Sequence, residues 1–190
     1  MKGGMIVNPY YLLAPVLLPV MTGAAVLGLR PKERRKREIL VMGGILAASA
    51  VIGALVVNGP KQPLVLYRFG GKMNISLGLD GLSGVFACLI AVLWPLTTLY
   101  SFEYMKHEGK ENKFFGYFSI TYGVVAGVAL SHSLITLYFF YELMTLATLP
   151  LVMHAMDARA IYAGKKYLLL SMAGAAMVFV SIISLHEYGT

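Results

Sequence analysis

Charged residues are scarce in this chain of 190 residues. They make up 13% of the sequence, whereas soluble domains average about 25%. Hydrophobic residues make up 58%, and the mean hydropathy is +0.71. A soluble domain of that composition would be almost entirely core, so we predict an integral membrane protein of the all-α class. The net charge of +7 does not indicate a nucleic-acid partner, because the basic residues lie in short loops between apolar stretches.

Cysteine is almost absent as well. The single cysteine, Cys88, lies inside an apolar stretch, which excludes an internal disulfide and a cysteine-based metal site. The sequence also lacks a cluster of metal-ligand residues, a glycine-rich phosphate loop and a nucleophile paired with a base. We therefore expect no catalytic residues, no metal site and no cofactor bound by this chain.

Six apolar stretches are long enough to cross a bilayer, whose hydrocarbon core takes about 20 helical residues. They predict a single membrane domain over residues 1–190, with spans at about 6–29, 39–57, 82–105, 114–130, 134–153 and 164–185. A cleaved signal peptide is the alternative interpretation of the first stretch, because Lys2 precedes it. The length of the stretch and the basic cluster that follows it, RPKERRKRE, favour a retained span.

The segment between the second and third spans has a different pattern. Residues Leu64–Phe69 are β-prone, Gly70 and Gly71 suit a tight turn, and Asn74–Leu79 alternates polar and apolar residues. This pattern predicts a short extracytoplasmic β-hairpin. Just beyond it, Asp80 is placed to cap the start of the third span.

The basic residues are distributed unevenly between the loops. Twelve of the sixteen Lys and Arg residues lie in the loops that follow the first, third and fifth spans. Short loops that are rich in Lys and Arg stay on the cytoplasmic side of a membrane. We therefore predict a multi-pass protein of the inner or cytoplasmic membrane, with its N-terminus and the hairpin outside.

The fifth span carries an acid, Glu142, near its middle. An ionised side chain at the centre of a membrane helix costs about 2.5–3.5 kcal/mol or more, so it needs a partner, a water-filled cavity or a proton. Helical spacing places Tyr138 and Thr145 on the same face, with Tyr141 and Thr148 close beside it. These hydroxyls could hydrogen-bond the carboxylate or order water. The acid is interpreted either as a proton or sodium site or as a buried residue that only fixes helix packing.

Two lysines at the start of the sixth span are candidate cations for this acid. If the helix begins near Ala160, Lys166 lies about 9 Å into the membrane, and its flexible stem covers much of the remaining distance. Lys165 is the second candidate. The alternative interpretation makes both lysines anchors at the membrane surface. His132, at a membrane edge, is either an interfacial polar residue or a proton relay, because histidine titrates near neutral pH.

Two segments carry a family resemblance. They are LGLDGLSGVFACLIAVLWPLTTLYSFEYM and LITLYFFYELMTLATLPLVMHAMDARAIYAGKKYLLLSMAGAAM. They resemble the antiporter-like membrane subunits shared by respiratory complex I, Mrp-type Na+/H+ antiporters and energy-converting membrane-bound hydrogenases. The resemblance extends over about residues 77–183 and corresponds to the N-terminal part of such a subunit. Its most specific element is YELMTL, and DGLS matches the opening of the third helix in that family.

The resemblance implies roles for two residues. Glu142 matches the essential glutamate of the fifth helix, and Lys166 matches the basic residue that precedes an aromatic at the start of the sixth. In that family the lysine that pairs with the glutamate lies on helix seven, and the subunit has about fourteen spans with two inverted five-helix repeats. The resemblance therefore implies partner membrane subunits, including a chain that supplies helices seven onward. It also implies that any Fe–S, flavin or NiFe centres belong to partner subunits.

We predict that the chain is a proton- or sodium-translocating part of a complex I-like, membrane-bound hydrogenase or Mrp-type complex. It would move ions for an oxidoreductase or translocase complex without a redox site of its own. The alternative is a structural or assembly subunit that has no ion path. A stand-alone carrier is disfavoured, because six spans hold no internal inverted repeat. A truncated chain, a split gene and a degenerate remnant are all consistent with the six predicted spans.

Overall fold

The computed structural model describes residues 8–60, 62–69, 73–106 and 108–188. Within those ranges the chain is mostly helical and carries one small two-stranded sheet. A 3-10 helix at Pro9–Leu13 comes first. It is followed by α1 (Ala14–Leu29), α2 (Arg34–Asn58), β1 (Leu64–Arg68), β2 (Asn74–Leu77), α3 (Gly81–Tyr104), α4 (Glu111–Ala129), α5 (Leu134–Val152) and α6 (Ala158–Tyr188).

Five helical segments in the described part of the chain are long and apolar enough to cross a membrane. They are the combined segment Pro9–Leu29, α2, α3, α5 and α6, so five of the six predicted spans are confirmed at this level. The predicted start of the first span at residue 6 lies outside the described residues. The exception is α4, which begins with charged residues and buries Ser119, Thr121 and Tyr122 against its neighbours. A sixth span at 114–130 therefore stays a prediction.

Helix α2 begins earlier than hydropathy predicted. Its first residue is Arg34 instead of Ile39, so part of the charge run is helical. Arg34 forms an ion pair with Glu38 one turn later, and its Nη2 donates to the carbonyl of Phe102 at 2.8 Å. These contacts tie the basic start of α2 to the end of α3.

Helix α6 begins at Ala158, close to the start near Ala160 that the sequence allowed and before the predicted span at 164–185. The Asp157 carboxylate accepts a hydrogen bond from the N–H of Ala160 at 2.6 Å, which satisfies one of the backbone donors at the start of the helix. Hydropathy marks only the apolar part of a membrane helix. The polar first turns depend on local hydrogen bonds of this kind, so both helices extend beyond the apolar stretches that predicted the spans.

The predicted β-hairpin is confirmed as a two-stranded antiparallel sheet. Leu64 lies opposite Leu77 and Arg68 opposite Asn74, with a register shift partway along β1. The predicted Gly-Gly turn lies outside the described residues. The sheet is not isolated, because its second strand also contacts the connection between α4 and α5.

That connection is bonded to β2 by backbone and side-chain groups. The N–H of Gly78 donates to the carbonyl of Leu130 at 2.8 Å, and the N–H of His132 donates to the carbonyl of Ser76 at 3.0 Å. The N–H of Ser76 in turn donates to Thr136 Oγ1 at 2.9 Å. The hairpin therefore holds the end of the bundle at which α5 begins.

Asp80 caps α3 as predicted. The Ser83 N–H donates to Asp80 Oδ1 at 2.7 Å, and the Asp80 N–H donates to Ser83 Oγ at 2.7 Å. This reciprocal arrangement satisfies two backbone donors at the helix start. The hydrogen bond from the Ser83 N–H lowers the pKa of the Asp80 carboxyl, and the Ser83 hydroxyl adds to that shift.

Helix α4 lies at the centre of the bundle, in contact with α1, α2, α3 and α5. Two glycines allow α1 and α4 to pack closely. A Cβ at Gly23 would collide with the carbonyl oxygen of Gly116, and one at Gly123 would collide with the carbonyl oxygen of Val16. A buried apolar cluster is shared by the four helices α1, α2, α3 and α4. It includes Val26, Ile45, Ala48, Ala87 and Phe115.

Helix α6 lies at the edge of the bundle and packs against α5. Ala175 is buried, whereas large apolar side chains such as Leu169 and Met177 are exposed. A membrane helix in this position can contact lipid or another transmembrane segment through its outer face.

Candidate ion-translocation site

The first two turns of α5 are fixed by contacts on two sides. Ser133 Oγ accepts a hydrogen bond from the Thr136 N–H at 3.3 Å and donates to the carbonyl of Asn74 at 2.6 Å. On the side of α4, the ring of Phe140 occupies the space that a Cβ at Gly127 would need. The backbone is therefore held in place immediately before the predicted ion-binding acid.

That acid, Glu142, lies roughly 12 Å along α5 from its first residue, and its side chain is partly buried. Its Oε1 atom is buried without a hydrogen-bond partner, and no side chain in the described ranges forms an ion pair with it. Burial of a polar oxygen without a hydrogen bond costs free energy, and the cost is larger for a charged group. The position therefore requires something that these residues do not provide: a proton, an ion, water or a cation from elsewhere.

Lys165 and Lys166 lie near the start of α6, and both are exposed. The ammonium of Lys166 sits 5.0 Å from the ring centroid of Tyr162, which is within the range of a cation–π interaction. The structure does not bring either lysine into an ion pair with Glu142. Their role in ion transfer stays a prediction.

The hydroxyls near Glu142 bond to other groups. Thr145 is buried and donates to the carbonyl of Tyr141 at 3.5 Å, and Thr148 donates to the carbonyl of Met144 at 2.8 Å. Tyr138 stacks on Phe179 of α6, with ring centroids 5.3 Å apart, and Tyr141 is largely exposed. The predicted strip of hydroxyls is thus present on α5, but none of its members bonds to the carboxylate among the described residues.

Sequence reasoning missed one residue of this region, Tyr167. Its hydroxyl lies 2.9 Å from that of Thr148 and joins α5 to α6 by a hydrogen bond. The sequence signal was its position directly after Lys166, at the helix start where the basic candidates were sought. Thr148 lies six residues after Glu142, about 9 Å along the helix, so this bond joins α6 to α5 more than one turn beyond the acid.

His132 lies apart from the acid, in the connection before α5. Its ring packs against Gly78, where a Cβ would come within 2.7 Å of Nδ1. With its backbone bonded to β2, His132 is placed at the end of the bundle, so a relay role would require water between it and Glu142.

A second polar cluster connects α2, α3 and α4. The hydroxyls of Tyr122 and Ser49 hydrogen-bond at 2.7 Å, and the Tyr122 ring stacks on Trp94 with centroids 5.1 Å apart. The indole Nε1 of Trp94 is buried without a hydrogen-bond partner in the described part of the chain. Groups of three or more His, Cys, Asp or Glu that could hold a metal ion do not occur in that part either.

Two family models match the chain. The model described as "NADH-Ubiquinone oxidoreductase (complex I), chain 5 N-terminus" matches residues 68–115. The model described as "NADH:quinone oxidoreductase/Mrp antiporter, TM" matches residues 131–190, which include all of α5 and α6.

Two bacterial relatives each match 60% of the chain. It is 34% identical over 125 residues to the Na(+)/H(+) antiporter subunit A1 of Staphylococcus haemolyticus, covering 60% of this chain and 16% of the relative. It is 33% identical over 114 residues to the protein of the same name from Staphylococcus aureus strain JH9, covering 60% of this chain and 14% of the relative. The alignments therefore cover only about one-sixth of the length of these relatives.

A solved structure has a similar fold. It is a chain of the membrane-bound sulfane sulfur reductase, described as an archaeal respiratory membrane complex, and it superposes with a TM-score of 0.75 at 20% sequence identity. The match covers 94% of this chain and 37% of the other. At that identity the similarity concerns the fold.

Proposed function

The chain belongs to the family of antiporter-like membrane subunits shared by complex I and Mrp-type antiporters, and on that basis we propose that it contributes Glu142 to a path for protons or sodium ions. The path would belong to a multi-subunit complex of the Mrp, complex I-like or membrane-bound hydrogenase type. Redox chemistry or ion exchange in other subunits would supply the driving force, and any Fe–S, flavin or NiFe centres would lie there. The chain itself would bind no cofactor.

One observation carries this proposal: a carboxylate oxygen of Glu142 is buried in the middle of an apolar helix, without a hydrogen-bond partner among the described residues. An acidic residue at membrane depth is a functional-site hypothesis by default, because such residues are costly and line ion or proton paths. The hydroxyl of Thr148, on the same helix, already bonds to the carbonyl of Met144 and to the hydroxyl of Tyr167. It is therefore not available to Glu142, and we propose that the acid exchanges its proton or ion with water or with another chain.

The membrane arrangement that we propose has six spans in one membrane domain. Helix α4 counts as a span because its 19 residues reach roughly 29 Å at helical rise, and because it lies at the centre of the bundle. The distribution of basic residues places the N-terminus and the hairpin outside an inner or cytoplasmic membrane.

The cation that serves Glu142 would come from one of two places. Lys166 could move from the ring of Tyr162, and Lys165 lies beside it. The other source is a lysine of a further helix, supplied by a partner membrane subunit or by more of the same protein. Because Lys166 is exposed and already contacts an aromatic ring, we assign the larger role to the acid.

The test is ion transport by the assembled complex that carries Glu142→Gln. The substitution keeps the size of the side chain and removes its titratable group, so we expect transport to fall to background while assembly stays normal. Glu108→Gln is the matched control, because it makes the same chemical change at an exposed loop position. Unchanged transport in a normally assembled Glu142→Gln complex would overturn the proposal.

A second substitution compares the contribution of Lys166 to transport with that of Glu142. Lys166→Gln should lower transport less than Glu142→Gln does, when both are measured at equal assembly. An equal or larger loss from Lys166→Gln would reverse the roles that we assign to the two residues.

A structural or assembly role is the competing function, and the unpaired state of the acid in this structure also favours it. Without a cation, Glu142 could serve as the docking point for a basic residue of another subunit. In that case Glu142→Gln would reduce the amount of assembled complex, and transport per assembled complex would stay the same.

A further inference from the structure

A cavity of about 810 Å³ lies at the end of the bundle where α1 and α5 end and α4 begins. Its wall has two different parts. One part is basic and contains Arg30, Lys110 and Lys113, together with His154. The other part is apolar and contains Leu27, Leu149, Pro150 and Met153.

The basic part of the lining has an excess of positive charge. Arg30, Lys110 and Lys113 are exposed and form no ion pair with any described residue. Among the described residues that line the cavity, Glu111 is the one acid, and Arg37 already pairs with it. The lining therefore carries three cations that have no ion-pair partner among the described residues.

Arg37 adds a buried cation to the same lining. Its side chain lines the cavity and is 7% exposed. Two of its nitrogens bond to Glu111 and to Asn112, but its Nε is buried without a partner in the described part of the chain. Such a donor is costly to leave unpaired. The start of α4 adds further donors, because the Lys110 side chain does not cap the helix and its first amides face the same end of the bundle.

We propose that this cavity binds the headgroup of an anionic phospholipid. The phosphate would sit among Arg30, Lys110 and Lys113, and an acyl chain would lie along Leu149 and Met153. Basic pockets between membrane helices at headgroup level suit such lipids. A free phosphate ion would satisfy the cations but would leave the apolar part of the wall without a partner. This inference does not depend on the role of Glu142.

The experiment uses the full chain, with whatever subunits co-purify, delipidated in detergent. It is titrated with dioctanoyl phosphatidylglycerol, with dioctanoyl phosphatidylcholine and with inorganic phosphate, and bound species are counted by native mass spectrometry. We expect saturable binding of phosphatidylglycerol that is tighter than binding of phosphatidylcholine. Millimolar inorganic phosphate should not displace the lipid.

Matched variants locate the site. Lys110→Gln with Lys113→Gln should weaken phosphatidylglycerol binding on the order of tenfold, since each basic residue contributes to attraction of anionic lipid. Lys32→Gln with Lys36→Gln makes the same charge change at exposed positions that do not line the cavity, and binding should persist. If the double variant does not fold, Lys113→Gln alone should weaken binding in the same direction.

Three results would overturn the proposal. They are equal affinity for the two lipids, displacement of the lipid by phosphate, and equal effects of the cavity and control variants. Displacement by phosphate would show that the cations bind a free anion instead of a lipid.

Discussion

Two glutamates on neighbouring helices show how differently this bundle treats its acids. Glu111, at the start of α4, forms an ion pair with Arg37, whose side chain is 7% exposed. Glu142, in the middle of α5, has a buried oxygen that meets no partner among the described residues. The first acid closes a contact between α2 and α4, and the second interrupts an apolar helix without closing any contact.

The helices around the two acids also differ in how closely they pack. Helices α1 to α4 pack closely through glycines and share a buried apolar cluster. Helix α6 lies at the edge and leaves most of its large apolar side chains exposed. Glu111 thus belongs to a contact between closely packed helices. Glu142 lies on a helix that packs against α4 through Phe140 and Gly127 on one side and against the more exposed α6 on the other.

The largest effect on stability should come from Glu111→Gln. The change leaves the guanidinium of Arg37 buried without its counterion, and breaking a buried ion pair typically costs on the order of 3 kcal/mol. Thermal unfolding of the purified protein in detergent measures the loss. Glu108→Gln, the same change at an exposed position, should leave the unfolding temperature unchanged. If both variants unfold at the temperature of the unmodified protein, α2 and α4 are not held together by this pair.

The next effect concerns the packing of α1 against α4. In Gly123→Ala the new methyl group would collide with the carbonyl oxygen of Val16, and overpacking of this kind costs about 1–3 kcal/mol. Gly43→Ala is the matched control, because a Cβ there meets nothing within 4 Å. Unfolding temperatures of the two variants provide the comparison. Equal temperatures would contradict the close approach of these two helices.

A smaller effect is expected on the side of α5 and α6. Tyr167→Phe removes the hydrogen bond to Thr148, which lies at 2.9 Å, so we expect a loss of about 1 kcal/mol. Faster amide hydrogen exchange should appear in α6 while exchange in α4 stays the same. Exchange that rises equally in both helices would show that the two regions are not independent.

The smallest effect should depend on pH. The pKa of Asp80 is lowered by the Ser83 N–H, so its cap stabilises α3 when the carboxyl is ionised, and that contribution is lost as pH falls through the lowered pKa. Asp80→Ala should therefore lower the unfolding temperature at pH 7 and have less effect at acid pH. A difference between variant and unmodified protein that grows on acidification would have the wrong sign.

Much of this arrangement follows from the sequence, and the exceptions have physical reasons. Apolar runs predicted the spans, and the hairpin pattern predicted both strands. Both signals can be read from a short stretch of sequence, because a span needs about 20 consecutive apolar residues and a hairpin needs two β-prone runs and a turn. The early start of α2 was not predicted, because it involves a contact between Arg34 and the carbonyl of Phe102, which is distant in the sequence. The central position of α4 is also a property of packing, because an apolar run predicts a span but does not say which helices surround it.

The candidate site was predictable to a smaller extent. An acid in an apolar run is visible in the letters alone, so Glu142 was identified directly. Its partners were not, because helical spacing places Thr145 and Thr148 near it but does not decide which acceptor each hydroxyl chooses. Both threonines donate to carbonyls one turn back, which a buried threonine on a helix commonly does.

The most direct test of the account measures stability and transport on the same preparations of Glu142→Leu. If the acid is retained for ion transfer against the stability of α5, the apolar replacement should raise the free energy of unfolding by about 1 kcal/mol or more. Transport by the assembled complex should fall to background at the same time. A variant that unfolds as readily as Glu111→Gln, or that still transports ions, would contradict the claim that this carboxyl is functional and not structural.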